Sequence, residues 1–186
     1  MLYRIETRVH RQHKATRRNG SFHQQVLWLF MLIVLGHWSE HLVQIYQIYV
    51  MGWLPKAAGG VLGLWFPQLI TSEVLHFTYN LLLWGGILLL RPGVQGQTRR
   101  WWNGALIDQS WHFFEHFLLQ VQWLTGVYLF GAAKQTSIGE LWLPRVELHF
   151  MYNLIVCVPL MIGVIIYFKQ RSQRHTEVRS RRFYVA

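Results

Sequence analysis

Two short strings carry most of the chain's metal-binding chemistry: His37-Trp-Ser-Glu40-His41 and, 75 residues on, His112-Phe-Phe-Glu115-His116. In each, His, Glu and His stand at i, i+3 and i+4, spacings that share one side of an α-helix. A His pair at i and i+4 chelates a metal ion, with the neighbouring Glu as ligand or base. Two further histidines sit in a second matched pair, Leu75-His76-Phe-Thr-Tyr79-Asn80-Leu81 and Leu148-His149-Phe-Met-Tyr152-Asn153-Leu154, at an offset of 73. Glu73 precedes His76 by three residues, the Glu-x-x-His spacing by which ferritin-like bundles supply ligands to paired irons. That likeness is one of ligand spacing alone.

These strings lie inside long apolar runs. Val26–Val50, Leu69–Leu90, Trp101–Val127 and Val146–Phe168 each reach the ~20 residues that cross a bilayer core. The basic residues set the orientation. Arg4, Arg8, Arg11, Lys14, Arg17 and Arg18 precede the first run, and Arg91, Arg99 and Arg100 lie between the second and third. Lys169, Arg171, Arg174, Arg179, Arg181 and Arg182 follow the fourth, whereas the other two loops carry only Lys56, Lys134 and Arg145. Short basic loops stay cytoplasmic, so both termini and the middle loop are expected inside. The net charge of +10 is thereby assigned to orientation and anionic headgroups. No nucleic-acid partner is implied.

The expected fold is an all-α membrane protein, a four-transmembrane-helix bundle made from a duplicated two-helix unit. Like orientation of the two units puts a pseudo-two-fold axis along the membrane normal. The expected parts are a basic segment 1–25, a first repeat 26–90, a basic loop 91–100, a second repeat 101–168 and a basic tail 169–186. The N-terminal segment reads as an interfacial helix or an unstructured arm. Cys157 is the only cysteine, so an intrachain disulfide and a thiolate cage are both excluded. The first apolar run is too long for the core of a cleaved signal peptide.

At 1.5 Å per residue, His37 and His112 lie about 15 Å and His41 and His116 about 22 Å from the cytoplasmic entry. Counted from the other side, Glu73 and His76 lie about 6 and 10 Å below the outer surface, and His149 matches His76. Six of the ten histidines therefore gather in the outer half of the bilayer. Burying ionisable groups in hydrocarbon is costly, which makes such a gathering functional by default.

The expected ligands are His37, Glu40, His41, Glu73, His76, His112, Glu115, His116 and His149, around a dinuclear centre on the axis. Carboxylates would balance the charge of two divalent ions, and mixed imidazole and carboxylate ligands favour iron over copper or zinc. Tyr79, Asn80, Tyr152 and Asn153 would orient the ligands or line a cofactor site. Glu147 is offset from His149 and points elsewhere. Gln44, Gln47, Gln120 and Gln122 are hydrogen-bond partners on the outer side. Asp108 lies below the cluster, and Arg145 is a partner for one of the carboxylates.

The function expected is redox or oxygen-dependent chemistry on a quinone or other lipid-soluble substrate. The chain would act as a metal-dependent oxidoreductase or a subunit of a larger complex in a prokaryotic cell membrane. Haem or chlorophyll held by opposed histidines is the main alternative, and a metal or proton transporter the second. The His-x-x-Glu-His string also matches an inverted zinc-peptidase motif. Two copies on opposed helices do not suit one peptidase site.

Overall fold

On the first helix, Leu27, Phe30, Met31 and Val34 are buried, and the same stripe continues through His41, Gln44 and Gln47. This is the i, i+3, i+4, i+7 recurrence of one helix face. Its chemistry changes halfway along, from apolar to polar. Each long helix repeats the switch. On the third long helix the buried run is Trp102 and Ala105, then Gln109, His112, Glu115 and His116. On the fourth, Leu160, Cys157 and Val156 give way to Asn153 and His149.

The structure is a computed structural model that describes residues 2–70 and 72–184, with side chains described for 21–68 and 72–173. It is all-helical, with no strand among the described residues. The helices are α1 (Leu2–Tyr49), α2 (Gly60–Trp65), α3 (Pro67–Ile70), α4 (Glu73–Leu90), α5 (Gly96–Thr125) and α6 (Arg145–Tyr184). Helix α5 packs on both α4 and α6, and α1 packs chiefly on α6. The apolar core joins Leu27, Phe30, Ile87, Trp102, Val156 and Leu160. Trp102 Nε1 donates to the Ile87 carbonyl oxygen at 2.8 Å, so the indole is buried with its one polar atom satisfied.

Among the described residues, three segments are long and apolar enough to cross a membrane: Ser21–Tyr49, Glu73–Gly93 and Arg145–Gln173. On that ground the chain is a membrane protein. Leu32, Leu89, Ile107 and Ile165 project outward, a surface that lipid covers. Helix α5, with 30 residues, has the length to cross but not the hydropathy, since its buried face is mostly polar. A fourth crossing thus rests on other grounds than apolar composition.

Some expected boundaries shift. The basic N-terminal segment is no separate arm, for α1 runs unbroken from Leu2. The basic tail likewise extends α6 to Tyr184. The second span begins at Glu73 rather than Leu69, because the Ser72 side chain accepts a hydrogen bond from Leu75 N and caps α4 there. Glu73 consequently occupies the first turn, where a carboxylate is favoured by the helix dipole.

Candidate metal centre

The two His-x-x-Glu-His strings sit on the polar stripes of α1 and α5, and their histidines face inward. His41 and His37 approach Nε2 to Nε2 at 3.0 Å, and His116 and His112 at 3.1 Å. His149 comes down from α6 and meets His116, again Nε2 to Nε2, at 3.1 Å. His76 from α4 stacks parallel to His116, with ring centroids 5.9 Å apart. His41 reaches His149 at a centroid distance of 6.0 Å. These six histidines therefore form one connected group. Within it, the ligand nitrogens of His112, His116 and His149 lie within 4.8 Å of one another, close enough to hold one ion.

Tautomers decide what such contacts mean. His149 donates from Nδ1 to the Arg145 carbonyl, His76 from Nδ1 to the Ser72 carbonyl, and His41 from Nδ1 to Gln44 Oε1. A neutral imidazole with its proton on Nδ1 has a lone pair on Nε2. The His149–His116 contact then needs a hydrogen on His116 Nε2. That single hydrogen cannot also satisfy the His116–His112 contact. The Nδ1 atoms of His112 and His116 are buried with no partner, so three neutral imidazoles leave this triad short of hydrogen bonds. A cation at the focus of the three lone pairs resolves the Nε2 conflict. With metal–nitrogen bonds of about 2.0–2.1 Å, a tetrahedral ion spaces its ligand nitrogens about 3.3–3.4 Å apart. The 3.1 Å separations are within a few tenths of that. Outer groups that fix the tautomer and aim the ring are the usual surroundings of metal-ligating histidines.

Each expected carboxylate has one oxygen in a hydrogen bond or ion pair, and Glu115 keeps a buried Oε2 with no partner. Glu40 Oε2 accepts from Leu62 N at 3.0 Å, at the start of α2. Gly60 abuts the same carboxylate; it has φ +70°, and a Cβ there would stand 2.3 Å from Glu40 Oε2. Glu115 Oε1 accepts from Gly139 N at 2.8 Å. Glu73 pairs with Arg145 Nη1 at 2.6 Å. Glu147 accepts from the Tyr49 hydroxyl at 2.6 Å, on the exposed side. The three histidines are the closest group of candidate ligands, and the bound oxygens of Glu40 and Glu115 each brace a loop beside them.

Replacing Glu115 with Gln tests this assignment. Gln keeps an oxygen for Gly139 N, so Glu115→Gln is expected to keep full metal content. Glu115→Ala strands a buried N–H and costs about 1–3 kcal/mol in thermal stability. Loss of metal from Glu115→Gln at unchanged stability would restore the carboxylate as a ligand.

The other expected residues support the histidines. Tyr79 stacks on His37 at 3.8 Å between centroids and Tyr152 on His112 at 4.8 Å. Asn80 and Asn153 donate to the carbonyls of His76 and His149. The glutamines prove more specific than expected. Gln47 grips both backbone groups of Gly60, and Gln122 grips both of Thr136. Two contributors escaped sequence reasoning: Gln109, which donates to Asn80 Oδ1 at 3.0 Å, and Glu140, which pairs with Arg145 at 2.5 Å. Gln109 lies one turn before His112 on the same stripe, a signal that was there to use. Glu140 lies in a loop and gave none.

A haem held by two histidines needs their nitrogens on opposite faces of a macrocycle. The pairs His37–His41, His112–His116 and His116–His149, with nitrogens 3.0–3.1 Å apart, cannot clasp one between their two members. No family model matches the chain, and neither a curated protein nor a solved structure matches it.

Proposed function

We propose that the chain is a four-span membrane metalloprotein, with its termini cytoplasmic, whose six histidines hold a redox-active metal centre. The observation that carries this reading is the convergence of His112, His116 and His149 through Nε2, with the His149 tautomer fixed from behind. Support for two like halves comes from contacts recurring at the sequence offset. The His37–His41 contact recurs as His112–His116, Tyr79 on His37 as Tyr152 on His112, and the Gln47 clamp as that of Gln122. Glu40 and Glu115 each accept a loop N–H. By that correspondence His37, His41 and His76 hold a second ion, making the centre dinuclear. The outward Ile107 supports α5 as the fourth span.

With one oxygen of each carboxylate bound elsewhere and imidazole the densest ligand type, copper is the first metal to test and iron the second. A route to lipid favours redox work. Trp111, exposed on the bundle's side, donates from Nε1 to the Tyr152 hydroxyl at 2.9 Å, and Tyr152 stacks on His112. The reaction we assign is oxidation of a membrane hydroquinone to the quinone. Two one-electron ions held by the histidines would accept its two electrons and a separate electron acceptor would reoxidise them, while its two protons go to water.

Metal analysis and electron paramagnetic resonance test the reading together. At least one equivalent of copper per chain is expected, with its Cu(II) signal lost on anaerobic addition of a soluble hydroquinone analogue. A stoichiometric Soret band, or transition metal well under one equivalent after loading, overturns it.

A further inference from the structure

A cavity of about 410 Å³ lies against the histidine group, at the small end of the range for pockets that hold organic ligands. Its lining includes His41, His76, His116 and His149, and it extends to the 55–59 loop and to Arg145 at the start of α6. The remaining wall mixes small apolar residues such as Ala57, Ala58 and Val146 with the polar Gln44 and Gln135. Within this lining His116 carries a buried Nδ1 with no partner. The Trp111–Tyr152 contact does not line this space, so the cavity and the lipid-facing route are distinct.

The charge around the cavity is uneven. Glu73 and Glu140 share Arg145, a cluster of net −1 that Lys56 on the cavity wall offsets, so the positive charge of a bound metal would be left uncompensated. Lys56 lines the space, is exposed, and makes no ion pair among the described residues. The imidazoles present lone pairs, so a bound metal adds positive charge to the same space. A neutral or anionic guest is accepted there, and a cation is repelled.

We propose that this cavity is a second substrate pocket, entered from the loop side, for a small water-soluble molecule with an anionic donor group that ligates the metal. The proposal rests on the metal reading above and adds to it the class of the second reactant. A lipid-soluble reductant and a water-soluble ligand would then reach one centre by separate routes.

Azide is the probe, and copper-loaded protein in detergent is the sample. Azide is expected to add a charge-transfer band to the Cu(II) spectrum. Lys56→Glu is expected to weaken azide binding by about tenfold, by charge reversal near the pocket, and to leave binding of neutral imidazole unchanged. Ala57→Cys offers a thiol on the cavity wall, whereas the native Cys157 is buried in the core. Complete labelling of Ala57→Cys with a bulky maleimide is expected to abolish the azide band while the Cu(II) resonance persists. An azide response untouched by both changes overturns the pocket and leaves the metal centre standing. Failure to load copper or any other transition metal overturns the metal reading and the pocket with it.

Discussion

His116→Ala is expected to empty the metal site. Within the triad His116 is the shared member: it meets His112 and His149 through Nε2 and stacks on His76. Altering only the outer partners of metal ligands typically costs 10–100-fold in affinity. Removing a shared ligand should therefore lower affinity by more than about a hundredfold, read as metal per chain after dialysis against a weak chelator. The fold should survive, because the ring contributes an Nδ1 without a partner and its loss strands no other hydrogen-bonding group through that atom. His37→Ala is the informative contrast. His37 bonds to His41 and stacks on Tyr79, and it is not one of the three histidines whose nitrogens converge. The His37→Ala variant should keep at least one ion. Full metal content in His116→Ala, with an unchanged resonance, would sink the assignment.

The stripe patterns explain what the sequence made legible. Leu27, Phe30, Met31 and Val34 recur at helical spacing, and so do the polar residues that follow them, because a single rotation per residue governs both. His37 and His41 are about 40° apart on that rotation, and they face the interior together. Glu40 is about 80° from their mean direction, far enough to leave the interior and meet a loop. Glu115 meets a loop in the same way but stays buried, because the Gly139 segment covers it. The rotation was computable from the spacing, yet the partner was not, since Leu62 and Gly139 arrive through loops whose paths no local pattern dictates. The start of the second span was misjudged for a related reason. Leu69 and Ile70 extend an apolar run, but capping by Ser72 outranks hydropathy in deciding where a helix begins. Helix α5 raises the reverse problem. Its polar buried face serves the site, and the same residues lower the hydropathy by which a span is recognised.

Arg145→Met is expected to be the most destabilising change outside the core. Arg145 donates from Nε to Glu140 and from Nη1 to Glu73, whose side chains are only 10% exposed, and from Nη2 to the Gln135 carbonyl. It thereby ties the first turn of α4, the loop before α6 and the first turn of α6 together over the histidines. Stranding a buried carboxylate costs about 3–5 kcal/mol. Arg145 itself retains 37% exposure, so water compensates part of the loss and about 3 kcal/mol is the better expectation. For a chain of this length that corresponds to a fall in melting temperature of about 6–12 °C. Arg145→Lys should lose about half as much, because an ammonium supplies the charge without the fork that serves both carboxylates. Adding Glu73→Gln and Glu140→Gln to Arg145→Met should recover much of the loss, since the amides need no counter-charge. A melting temperature for Arg145→Met equal to wild type would mean that the pairs are solvated and hold nothing together. If the loss appears and the triple variant recovers it, the ion-pair knot is the lock that keeps the two halves closed above the metal centre.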